Sequence, residues 1–300
     1  MDTDFYQSPP TYACLQKKLR ELKQRFPFLQ LQSIGQSILG RQIYAVTLGT
    51  PNPCALFAGG FHAQEWLTSS LLVRFLENVS LCCQQRTTIM GTLFNNSFIS
   101  RGLTIIPMVN PDGVSIALEG PKSAGALAPM VEKIQARSPL SWQANARGVD
   151  LNHNFDAGYG ELKQMEQSMG ITQPFPRQYG GAFVHSEPET RALVGFLRTR
   201  RVETAYAFHS QGEEIFSEYG THTPAQSRYI VHLLSKASGY TPVQNDGLAS
   251  HGGFKDYFIE KYYRPGFTVE IGKGENPLPI TDLESIYDKT LEMMVIASVI

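Results

Sequence analysis

The chain has 300 residues, with 26 Lys+Arg against 27 Asp+Glu and a formal net charge of −1. That balance excludes the basic excess of a nucleic-acid-binding or membrane-surface protein. Hydrophobic residues are 42% and aromatics 11% of the sequence, enough for a sizeable core, while the longest apolar runs (103–109 and 293–300) fall short of the ~20 residues a membrane span needs.

The N-terminus, Met1-Asp2-Thr3-Asp4, is acidic with no apolar stretch behind it. It does not read as a signal peptide, and a cytoplasmic location is expected. After Ser8-Pro9-Pro10 an amphipathic helix runs within the first 28 residues, with Leu15, Leu19 and Leu22 at i, i+4 and i+7. Lys17, Lys18, Arg20, Lys23 and Arg25 take its other faces and read as a solvated surface. From residue 42, strands and helices alternate. Short apolar, β-branched runs at 43–48, 55–58, 103–109, 204–208 and 267–271 predict strands. Helical patterns lie near 65–83, 187–198, 224–237, 254–260 and 281–298. Ser186 with Glu189, and Thr281 with Glu284, have capping-box spacing. The stretch 117–148, rich in Ala, Gly and Pro, predicts surface loops over a site. Cys14, Cys54 and the adjacent Cys82 and Cys83 suit neither a disulfide scaffold nor a zinc ribbon, so reduced thiols are expected. Apolar strands separated by helices predict a single α/β domain over 1–300, with a mixed, largely parallel sheet covered by helices on both faces.

The chemistry concentrates at predicted strand ends. His62 and Glu65 are spaced H-x-x-E where the loop after the second strand enters a helix. They can offer an imidazole nitrogen and a carboxylate to one metal, and zinc with three protein ligands keeps a fourth position for water. His209 stands where the strand 204–208 stops, and Glu270 lies at the end of the strand 267–271. Each alone reads as readily as a core histidine or a salt-bridged strand end. Together, at the carboxyl ends of separate strands, they point to a metal-assisted site.

These residues sit in a longer ordered series. It runs through Thr11-Tyr12, Ile34-Gly35-Gln36-Ser37 with Gly40-Arg41, His62-Ala63-Gln64-Glu65-Trp66, Asn110-Pro111-Asp112-Gly113, Gly148-Val149-Asp150-Leu151-Asn152 and Ser186-Glu187-Pro188-Glu189, and ends on His209-Ser210 and the Glu270 strand. The series resembles the zinc carboxypeptidase family over nearly the whole chain. The resemblance implies an α/β/α sandwich and one Zn2+ per chain, with His62, Glu65 and His209 as its ligands. It implies Asp150 as the partner orienting the His62 imidazole and Glu270 as the catalytic carboxylate.

The sequence departs from a carboxypeptidase where the substrate's free α-carboxylate would bind. The family's Asn-Arg pair is Asn152-His153 here, and histidine does not match arginine's fixed cationic fork. Gln64 and Gln143 stand where the family has two further arginines, and an ungapped count from Glu270 places Leu248 where it has a closing phenol. Residues 142–152, 209–215, 251–256 and 269–279 instead resemble the γ-D-glutamyl-L-diamino acid endopeptidases. That resemblance implies hydrolysis of the amide between the γ-carboxyl of D-Glu and meso-diaminopimelate or L-lysine, in peptidoglycan recycling or turnover. Lys255 is then expected to meet a diaminopimelate carboxylate, Arg147 to replace the oxyanion arginine, and Gln143 and His153 to hydrogen-bond the substrate. The Gln211-Gly212-Glu213-Glu214 loop either meets the diamino acid's amine or shapes the pocket. The expected partner is a muropeptide or peptide substrate, with no nucleic acid and no membrane span. The alternatives are a zinc carboxypeptidase or small-molecule amidase on the same site, or a non-catalytic peptide-binding member.

Overall fold

The computed structural model of the chain describes residues 4–244 and 251–300. Its strands are β1 (Gln30–Gln36), β2 (Gln42–Leu48), β3 (Cys54–Ala58), β4 (Gly102–Ile106), β5 (Val202–His209), β6 (Glu214–Phe216), β7 (Thr241–Val243) and β8 (Gly266–Glu270). The helices of the first half are α1 (Tyr12–Arg25), α2 (Leu67–Gln85), α3 (Phe94–Ser100), α4 (Pro111–Glu119) and α5 (Ala128–Gln135). Those of the second are α6 (Tyr159–Ser168), α7 (Pro188–Thr199), α8 (Gln226–Ser238), α9 (Phe254–Tyr262) and α10 (Leu283–Val299).

The strands form one sheet in the order β1-β2-β4-β3-β5-β8-β6-β7. Its centre, β4, β3, β5 and β8, is parallel, while β2 runs antiparallel to β4 and β6 antiparallel to β8. β3 and β4 are buried along their whole length because helices cover both faces. The two-residue period of a strand then assigns side chains to layers. Ala55, Phe57, Tyr206 and Phe208 enter the core shared with α1, α2, α8 and α10; Cys54, Leu56, Ala58, Ala205 and Ala207 enter the one beneath α7 and α9. The result is the α/β/α sandwich expected. Among the described residues no helix is long and apolar enough to cross a membrane. The cysteines are free thiols.

Several local expectations are corrected. β1, β6 and β7 had no sequence signal: β1 (QLQSIGQ) lacks an apolar run, and the other two are three residues each. β4 ends at Ile106 rather than at 109, because Pro107 has no N–H to continue the ladder. The basic face of α1 is not wholly solvated. Lys18 is buried against Glu77 of α2 at 2.8 Å, Arg25 reaches the same carboxylate at 2.8 Å, and Lys23 donates to the Pro27 and Leu29 carbonyls. Neither capping box forms. Ser186 Oγ instead donates to Glu187 Oε1 at 2.8 Å and accepts from Asn154, with Glu187 at the N-cap of α7. α10 starts after Asp282, again without a side-chain cap. The stretch 117–148 holds α5 and a small core in which Val131, Ile134, Trp142, Ala144 and Ala146 pack with Ala63 and Ile116.

Candidate active site

β3, β5 and β8 deliver the site from their carboxyl ends. In the parallel register Ala58 lies beside Ala207, and His209 beside Glu270, so the last residues of β5 and β8 are neighbours by construction. The loop from β3 to α2 must turn sharply to bring His62 over them. Gly60 makes the turn at φ 63°, where a Cβ would meet Ser69 Oγ at 3.0 Å and Met108 Cα at 3.1 Å. Asn110 Nδ2 then holds the Phe61 carbonyl at 3.0 Å and the Ala144 carbonyl at 3.1 Å, while its Oδ1 caps α4 through the Gly113 N–H. In the same motif, Asp112 accepts from Ser37 Oγ, Leu39 N–H and Arg41 Nη1 at 2.7–2.8 Å. The early motif thus braces the loop rather than entering the chemistry.

His62 Nδ1, a Glu65 carboxylate oxygen and His209 Nδ1 all lie within 4.8 Å of one another. His62 Nδ1 is 2.9 Å from Glu65 Oε1 and 3.2 Å from His209 Nδ1, which is 3.0 Å from Glu65 Oε2. A tetrahedral zinc with bonds of about 2.0–2.1 Å separates two nitrogens by about 3.3 Å, so this donor set fits the ion. His62 Nε2 turns to Asp150 Oδ1 at 3.1 Å, the arrangement that fixes tautomer and ring orientation for a ligand. His209 Nε2 is buried without a hydrogen-bond partner among the described residues, and its ring is held by stacking on Phe61, 5.2 Å between centroids.

The electrostatics belong to one tightly coupled group. Burial opposes charge on His62, but Glu65 and Asp150 outweigh it and hold its pKa well above the ordinary value. Burial would likewise raise Glu65, yet His62 and His209 draw it down to about 2. His209 is pushed down, mainly by burial. Burial, and then the Glu65 carboxylate, lift Glu270 well above the usual carboxylate range. A carboxyl shifted in that direction holds a proton more readily than an exposed glutamate does.

Of these residues, His62, Glu65 and Glu270 line a cleft of about 620 Å³. Gln143, Asn152, His153, Gln211 and Lys255 line it too. Gln143 Nε2 donates to Asp150 Oδ2 at 2.8 Å, and Asn152 Oδ1 accepts from the first N–H of α9 at 3.0 Å. His153 Nδ1 lies 3.2 Å from the Gln178 carbonyl. Lys255, almost fully buried, pairs with Asp256 and donates to the Glu218 carbonyl. Arg147 is not among the lining residues; its guanidinium faces Glu187 at 3.6 Å. Leu248 lies outside the described residues. The Gln211–Glu214 loop divides: Glu213 is tied to Lys289 at 2.7 Å and Lys273 at 3.1 Å, whereas Glu214 lines the cleft. Sequence reasoning missed Arg177, which lines the cleft and donates from Nε to Gln143 Oε1 at 2.8 Å. It stands in the loop Pro174-Phe175-Pro176-Arg177, where no periodicity or motif marks it.

The profile of the family described as zinc carboxypeptidase, Peptidase_M14, matches residues 15–293. A protein of Lysinibacillus sphaericus named gamma-D-glutamyl-L-diamino acid endopeptidase 1 is 35% identical over 282 residues, 93% of this chain and 70% of that one. The uncharacterized protein YqgT of Bacillus subtilis is 33% identical over 286 residues, 93% of this chain and 74% of that one. Among solved structures, the carboxypeptidase A from Helicoverpa armigera superposes with a TM-score of 0.73 at 18% identity, covering 97% of this chain and 73% of that one, a likeness of fold. A family match that runs through every strand of the sheet and every element lining the cleft places this chain in the zinc carboxypeptidase family, and it is a zinc metallopeptidase.

Proposed function

We propose that this protein hydrolyses the amide between the γ-carboxyl of D-glutamate and a diamino acid, meso-diaminopimelate or L-lysine, in peptidoglycan-derived peptides. One observation carries the reading. Where the family's carboxypeptidases hold a terminal carboxylate with arginine, this cleft presents His153, beside a Gln143 committed to Asp150. The named relative at 35% identity supports the same bond.

His62, Glu65 and His209 would hold one zinc ion per chain. Bound there, zinc supplies a Lewis acid for the amide carbonyl and a source of hydroxide near neutral pH. The remaining work falls to the chain. Asp150 keeps His62 in one tautomer, with Nδ1 toward the other donors. Glu270 accepts a proton from the attacking water and passes it to the departing amine. Lys255, on α9, offers a buried cation toward a carboxylate of the diamino acid, balanced by Asp256 until substrate arrives.

The test sets L-Ala-γ-D-Glu-meso-diaminopimelate against its α-linked L-Glu isomer, with zinc-loaded protein, mass spectrometry and Glu270→Gln as control. Cleavage of the γ-linked peptide alone, lost in the variant without loss of zinc, is the expected result. Cleavage of the α-linked isomer, or of neither, refutes the reading and leaves a zinc peptidase acting on another amide.

A further inference from the structure

A γ-linked glutamyl residue keeps its α-carboxylate free, three carbons from the scissile carbonyl and on the carbon that bears the acylated amine. An α-linked one keeps its γ-carboxylate at the same separation but bears the amine next to the scissile carbonyl. A cleft that takes the γ-linked unit with its α-carboxylate ionised gains from a cation placed for that group, best supplied by arginine's planar fork. Lys255 and Arg177 are the permanent cations among the lining residues. Lys255, held by Asp256 and the Glu218 carbonyl, is the cation assigned above to a carboxylate of the diamino acid, on the other side of the scissile amide. Arg177 has no carboxylate partner among the described residues. Its Nε donates to the neutral Gln143, and that bond leaves the two terminal nitrogens for a ligand.

The fork is also well aimed. The Pro176 carbonyl before it accepts from the Gln143 and Ala144 N–H groups, both at 3.0 Å, and the Gln178 N–H after it donates to Asp150 Oδ2 at 3.1 Å. One chain of contacts, Arg177 to Gln143 to Asp150 to His62, therefore fixes the guanidinium relative to a metal ligand. Gln143 replaces a family arginine, and its amide now carries an arginine from another loop. We propose that Arg177 is the specificity residue that receives the free α-carboxylate of the glutamyl unit. This assignment rests on the γ-glutamyl reading above.

Zinc-loaded wild type, Arg177→Gln and Arg177→Lys are compared on two peptides: L-Ala-γ-D-Glu-meso-diaminopimelate and the same peptide with the glutamyl α-carboxylate amidated. The wild type should favour the free acid. Arg177→Gln should lose about 10- to 100-fold in kcat/KM on the free acid, the range for a charge-assisted hydrogen bond, and less than about threefold on the amide. Arg177→Lys should recover part of the loss. Calorimetric binding of both peptides to Glu270→Gln, with and without Arg177→Gln, should show the same lost preference in the absence of turnover. Equal losses on both peptides, or none on the free acid, overturn the assignment while the γ-glutamyl reading stands. Wild-type protein that cleaves the α-linked isomer, or neither γ-linked peptide, refutes that reading and the assignment with it.

Discussion

Asp150→Asn tests whether one buried carboxylate both orients and charges the site. Asp150 is fully buried and accepts four hydrogen bonds. Oδ1 takes His62 Nε2 and the Asn152 N–H at 3.1 Å each, and Oδ2 takes Gln143 Nε2 at 2.8 Å and the Gln178 N–H at 3.1 Å. Burial disfavours the charge, yet His62 and His153 hold the carboxyl far below its usual range. A carboxamide has one oxygen, so whichever way it is turned, two of these donors face an NH2 group. At about 1–3 kcal/mol per buried donor left unsatisfied, the metal-free fold should lose about 2–6 kcal/mol. If the amide instead turns its nitrogen toward His62, the imidazole loses its anchor and zinc affinity should fall about 10- to 100-fold. Chelator-competition titration reads the affinity, and thermal unfolding of the metal-free protein reads the stability. Zinc affinity within about threefold of wild type, together with an unchanged unfolding midpoint, would refute the reasoning.

Other outcomes follow from the same structure. Burial, with Asp112 and Glu187 close by, pushes the Glu189 carboxyl up to about 8. The folded state then keeps a proton that an unfolded glutamate releases, so this contribution is full below about pH 4.5 and is lost as pH rises through 8, with a slope of at most about 1.4 kcal/mol per unit. Glu189→Gln should flatten that slope in urea unfolding from pH 5 to 8, and an identical slope would count against it. Gly60→Ala should cost about 1–2 kcal/mol from its positive φ and weaken zinc binding through His62 two residues on, whereas unchanged unfolding and affinity would show that the turn tolerates a Cβ. Free zinc at about 100 times its Kd should add about 2.7 kcal/mol of stability that a chelator removes. Superimposable melting curves with and without chelator would exclude His62, Glu65 and His209 as its site.

Much of the scaffold was legible because it rests on local periodicity. The fully buried strands β3 and β4 had to read as continuous apolar runs, and α1 and α2 as helical stripes. Elements without such a stripe stayed invisible: β1 is largely polar, and β6 and β7 are three residues long. Short-range signals also misled where a distant partner offered more. Ser186 has cap spacing, yet its hydroxyl is taken by Glu187 and Asn154. Lys18 has a surface residue's chemistry, yet Glu77 draws it into the core.

The sequence by itself determined that His62, Glu65, His209 and Glu270 stand at or just beyond strand ends, because strand periodicity and residue chemistry are properties of the local chain. Only the tertiary structure decided where the long cations point. Arg147 lies beside the Gly148–Asn152 motif but faces Glu187, whereas Arg177, unmarked in its own loop, is turned into the cleft by Gln143, 34 residues away. A flexible side chain takes its direction from whichever partner the fold brings within reach, and that partner is set by packing across the sheet and its loops rather than by neighbours along the chain.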